Sequence, residues 1–203
     1  MIKSAQQSSI NNDIKYNSMS AGTLPSNEYL IQTTVVGATP AASVEFDVSA
    51  YAGVYRNLKI IMVSKMSENV NYPLGEAWLQ FNGVTTNSYA WHWLYGNGSS
   101  PISQGVTNQP RGVASRITSA NAPSTQFGVS IIDILDPFSS SKNTTYRALS
   151  GAEQSNSGSG ELRAVHLISG LFNSTAVITS IKIFPNTQNF VSGSRFSIYG
   201  VTA

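Results

Sequence analysis

Short period-two alternation, cut by turn residues and never replaced by a helical period, governs most of this chain. Its last eleven residues show the pattern most clearly. In Gly193-Ser-Arg-Phe-Ser-Ile-Tyr-Gly-Val-Thr-Ala203, Ser194, Phe196, Ile198 and Gly200 fall on one face, and Arg195, Ser197, Tyr199 and Val201 on the other. A strand at the very end of the chain has no tail to spare, so it is expected to close a β-sandwich from its middle. The preceding segment, Thr175-Ala-Val-Ile-Thr-Ser-Ile-Lys-Ile-Phe184, places Val177, Thr179, Ile181 and Ile183 on one side, and Pro185 to Ser192 reads as a turn-rich connector.

From Tyr29 onward the same reading gives strands over 29–36, 43–49, 57–66, 76–82, 88–95, 112–118, 126–135, 145–150, 161–172, 176–184 and 194–202. Asn82-Gly83 and Gly96-Asn97-Gly98 are turn signals, and residues 96–110, 120–125 and 151–160 read as exposed loops. No segment keeps a 3.6-residue apolar period for three turns. The expected fold is therefore all-β, an antiparallel β-sandwich of jelly-roll type over residues 29–203. Trp91, Trp93, Phe127, Val129, Ile131, Ile181, Ile183, Phe196 and Ile198 are its expected core, and Leu58, Ile60 and Met62 share one strand face.

Residues 1–28 differ. They are polar, with isolated Ile2, Ile10, Ile14, Tyr16 and Met19 between Ser, Asn and Gln. Such a segment cannot build a core of its own, so ordering it requires burial on a partner. It is expected to be an extended N-terminal arm whose five apolar residues bind a neighbouring subunit.

Several stretches carry a resemblance. Ile178-Thr-Ser-Ile181, a loop with Asn189-Phe190, then Gly193-Ser-Arg-Phe-Ser-Ile-Tyr-Gly200 form one signature. Leu79-Gln-Phe-Asn-Gly83 followed by Tyr89-Ala-Trp91, and Ile168-Ser-Gly-Leu-Phe-Asn-Ser-Thr-Ala176, extend it. Over roughly residues 29 to 203 the chain resembles small β-sandwich virion proteins of tailed bacteriophages and cyanophages. The resemblance implies a structural scaffold without an active site, a homo-oligomer of trimeric type, and contact with other virion proteins such as the major capsid protein. The resemblance leaves the place in the virion open. Fibre proteins need a shaft and only residues 1–28 precede the sandwich, so the expected role is an outer head decoration or cement subunit held by its arm. The alternative is a receptor- or carbohydrate-binding tail fibre, spike or adaptor module that meets a host surface glycan. Either role implies synthesis in the host cytoplasm and release in the particle.

Composition narrows the function classes. Charged residues make up 11% of the 203 positions, against about 25% in ordinary soluble proteins. Hydrophobic residues reach 41% and aromatic residues 10%, enough to fold, so the charge deficit is not a sign of disorder. A surface rich in hydroxyls and amides suits dense protein–protein contact, where every desolvated charge needs a partner. The net charge of +2 comes from scattered basic residues, without the aligned cations that phosphate backbones need, so no nucleic-acid partner is expected. Cysteine is absent, which removes disulfides and thiolate chemistry. No stretch has the roughly 18 apolar residues of a membrane span, and no membrane insertion is expected.

No catalytic constellation emerges, and no cofactor or metal is expected. Asp133 and Asp136 are the one close Asp pair, but three residues along a strand puts them on opposite faces, and Asp136-Pro137 reads as a strand-ending turn. In Tyr89-Ala-Trp-His-Trp-Leu-Tyr95 the spacing puts Tyr89, Trp91 and Trp93 inside and His92 outside. For the carbohydrate-binding alternative, Trp91, His92 and Trp93 are the candidate glycan site. His166 reads as an ordinary strand residue, and no Gly-x-Ser-x-Gly elbow appears.

Overall fold

A computed structural model describes residues 27–68, 74–96, 100–154 and 162–202. The arm residues Ile2, Ile10, Ile14, Tyr16 and Met19 lie outside the described residues, as do Asn97-Gly98 and the tip of the expected 151–160 loop. Twelve strands are described: β1 (Glu28–Val35), β2 (Val44–Asp47), β3 (Asn57–Ser64), β4 (Leu74–Phe81), β5 (Tyr89–Gly96), β6 (Pro101–Gln109), β7 (Gly112–Thr118), β8 (Gly128–Leu135), β9 (Thr144–Gln154), β10 (Leu162–Phe172), β11 (Ser180–Pro185) and β12 (Arg195–Val201).

They form an eight-stranded sheet, β1-β12-β3-β8-β9-β10-β5-β6, packed on a four-stranded sheet, β2-β11-β4-β7, with every pairing antiparallel. Four of those pairings are nested: β1 with β12, β2 with β11, β3 with β8, and β4 with β7. A long hairpin rolled over on itself produces this wiring, and it is that of a jelly roll. The remaining strands β5, β6, β9 and β10 are added to one end of the long sheet.

Alternation explains most of the core. On β3, Leu58, Ile60, Met62 and Ser64 turn inward; on β12, Phe196, Ile198 and Gly200 do so. These rows meet Phe46, Phe81, Ile181 and Ile183 of the short sheet in one apolar cluster. As expected, β12 lies inside the long sheet, between β1 and β3.

Five expectations need correction. On β8, Val129 is 47% and Ile131 41% exposed, and Phe127 just before the strand is half-buried, whereas Ile132 and Ile134 are buried. This strand is apolar on both faces, so alternation alone leaves its facing undecided. The register decides it, pairing Ile132 with Ile60 and Ile134 with Leu58 on β3. Trp91 is half-buried rather than fully enclosed.

The strand expected over 176–184 begins only at Ser180. Asn82, in the left-handed region at φ 53°, accepts hydrogen bonds at Oδ1 from the amides of Thr179 (2.7 Å) and Ser180 (3.2 Å). Ile178 donates its amide to the Pro137 carbonyl (2.9 Å) and is buried. Of Val177 and Thr179, which the alternation placed beside Ile181, Val177 is half-buried and Thr179 exposed.

Finally, β6 occupies most of the expected 96–110 loop. Nearly all of it is exposed on both faces, so it carries no hydrophobic period, and backbone pairing with β5 holds it at the sheet edge. The expected strand over 145–150 likewise runs on to Gln154.

Candidate interaction surface

Among the described residues the short sheet packs on only the inner face of the long one, and no other described element covers the outer face. Cross-strand register places one residue from each strand in line across that face: Thr33, Ser197, Ile61, Ile131, Leu149, Leu167, Leu94 and Ser103. The five central members are aliphatic. Leu149, Leu167 and Leu94 are 53%, 54% and 52% exposed. In the next line, Val63, Val129 and Val165 carry the apolar surface, with Gly151 between the last two. At about 4.8 Å per strand the aliphatic band is about 19 Å wide. Scattered surface leucines are ordinary, but a contiguous band across five strands makes this face the candidate contact site.

Polar residues border the band. Arg147 Nε donates to Asp133 Oδ2 at 3.0 Å across β8 and β9, and that line continues through Ser169 to His92. Lys59, beside Asp133, is ion-paired with Glu28 at the sheet edge. Asp133, Arg147 and Lys59 of that line are thus each ion-paired.

The residues read from the sequence as candidate chemistry are separated by the fold. Asp133 engages Arg147, while Asp136, in the left-handed region at φ 47°, binds Lys142 Nζ (2.9 Å) and Arg56 Nε (3.2 Å). The hydrogen bond from Lys142, followed by the nearby charges, holds the Asp136 carboxyl below the usual range. No group of three His, Asp or Glu side chains among the described residues is placed to hold a metal ion.

Trp91 and Trp93 turn inward, their ring centres 4.6 Å apart, and His92 turns outward. Trp93 is 5% exposed, and the Arg116 guanidinium lies 4.4 Å from its ring centre. Arg116 also pairs with Glu76 at 3.0 Å. A hollow of about 590 Å³ beside His92 is floored by small residues, among them Ala90, Gly105 and Ser169. Trp91 borders this hollow, yet the indole pair and His92 occupy opposite faces of β5.

His166 is more than an ordinary strand residue. Buried on the inner face of β10, it stacks on Tyr95 (ring centres 4.7 Å apart) and meets the edge of Trp93. Burial, reinforced by the Arg116 charge, lowers its pKa to about 4.

The aliphatic band was missed in the sequence because it is assembled by register from strands far apart along the chain. A signal was present, however: Ile131-Ile-Asp-Ile-Leu135 and Val165-His-Leu-Ile168 carry apolar residues on both strand faces, the pattern of strands covered on both sides.

No protein-family model matches the sequence, and no curated protein matches it.

Proposed function

We propose that this chain is a non-enzymatic structural subunit of a tailed-phage virion, an outer head decoration or cement protein anchored through residues 1–28. The observation that carries this reading is the bare aliphatic band across the long sheet of a jelly roll whose surface is otherwise poor in charge. A subunit that works by being packed among others needs such a face, and low charge keeps the desolvation cost of packing small. The resemblance of the C-terminal strands to virion proteins supplies the setting, since the fold by itself assigns no function.

The rival reading, glycan binding by a fibre or spike module, has the hollow beside His92 in its favour. Sugar stacking needs an open aromatic face, whereas the enclosed Trp93 has Arg116 over its ring. The structural reading is therefore preferred.

Quantitative mass spectrometry of gradient-purified particles tests it. The chain is expected in the particles at a fixed ratio to the major capsid protein. Its absence from them, together with selective binding of the purified protein on a glycan array, would transfer the assignment to the rival.

A further inference from the structure

We propose that the outer face of the eight-stranded sheet is a self-association surface, in which two copies of this chain pack face to face about a two-fold axis running along the line between β8 and β9. That line is the midline of the sheet, with four strands on either side. The proposal concerns the isolated protein and stands independently of any role in a particle.

Three observations favour a second copy as the occupant. The first is size. Eight strands about 4.8 Å apart and about 24 Å long present roughly 900 Å², close to the roughly 800 Å² per partner of a stable complex. The second is anatomy: an aliphatic centre bordered by polar residues matches the core and rim of a protein interface.

The third is charge complementarity. Rotation about the midline sets each residue of β8 opposite its ladder partner on β9 of the other copy. Asp133 then faces Arg147 of the second copy, and Arg147 faces the second Asp133, so both ion pairs gain an opposite charge. In the apolar line the same rotation sets Ile131 against Leu149 and Ile61 against Leu167. A single patch that complements itself in this way defines an isologous contact. A strongly acidic or basic partner would find no unmatched charge in the Asp133–Arg147 line.

Sedimentation of the full-length protein over a concentration series tests the proposal. The wild type is expected to dimerise. Leu149→Asp and Leu167→Asp, both at exposed positions, are expected to weaken the dimer by at least about a hundredfold while leaving the circular dichroism spectrum unchanged. Val54→Asp, exposed and outside the strands of this sheet, is expected to dimerise like the wild type. Arg147→Asp alone is expected to weaken the dimer, and the exchange Asp133→Arg with Arg147→Asp to restore it. A wild type that stays monomeric overturns the proposal, as does a dimer indifferent to both leucine substitutions. So does a protein that dimerises only after residues 1–26 are removed, because that result gives the face to the chain's own arm.

Discussion

Tyr146 on β9 sits directly opposite Gly170 on β10, and its ring fills the space that a side chain at position 170 would occupy. On the facing sheet, Gly112 leaves room for the hydroxyl end of the same ring. One glycine from each sheet thus forms the slot that holds a fully buried tyrosine, whose ring also meets the edge of Phe81 at 6.2 Å. The slot fixes the approach of the two layers where the added strands join the jelly roll. Strand propensity alone favours Ala over Gly by about 0.5–1 kcal/mol. Here the added methyl must displace an enclosed ring, and overpacking costs about 1–3 kcal/mol. Gly170→Ala is therefore expected to lower stability in denaturant titration, and an equal or higher midpoint would contradict the slot.

The two faces of the long sheet predict opposite responses to truncation. Phe196 is enclosed between Phe190 and the rest of the core, and Phe196→Ala is expected to cost about 3–5 kcal/mol. Ile131→Ala, on the outer face, is expected to change the stability of the isolated monomer by no more than about 0.5 kcal/mol. Comparable losses in both variants would show that β8 faces the other way.

Much of this architecture was legible in the sequence. On β12, Phe196 and Ile198 oppose Arg195 and Ser197, so period two fixes its facing, and on β3 Lys59 marks the outer face although Ile61 and Val63 share it. β8 resisted the same treatment because Val129 and Ile131 compete with Ile132 and Ile134, and only the pairing with β3 breaks the tie. β6 was invisible because an edge strand exposed on both faces has backbone pairing and no apolar signature. The aliphatic band was hidden for a different reason. Leu94, Ile131, Leu149 and Leu167 are distant in sequence, and strand order alone makes them neighbours.

Protonation of His166 predicts a pH dependence. Its folded pKa of about 4 lies below the ordinary 6.5, with burial as the main cause and the Arg116 charge as the second. Between these values the unfolded chain binds a proton that the folded chain refuses, so stability falls as pH drops from about 6.5 to about 4. The loss is expected to reach about 2–3 kcal/mol. Asp47 and Asp136, both lowered from 3.8, contribute stability that is lost mainly below this window. His166→Phe, which keeps a ring against Tyr95, is expected to flatten the profile between these limits. An unchanged slope in that variant would place the titrating group elsewhere.

Removing residues 1–26 tests the proposed attachment separately from folding. The cut spares Asn27, whose carbonyl accepts the Thr202 amide at 3.0 Å beside the β1–β12 ladder. The shortened protein is expected to keep its thermal transition and to lose its place on particles. Full occupancy by the shortened protein would show that the arm is not the anchor.

The most direct measurement of the central claim is cryo-electron microscopy of the phage particle in which this chain is proposed to sit. The account predicts density for the twelve-stranded jelly roll on the particle exterior, with the aliphatic band around Leu149 and Leu167 covered by a neighbouring subunit. Particles lacking this density, or carrying the domain with that band open to solvent, would contradict it.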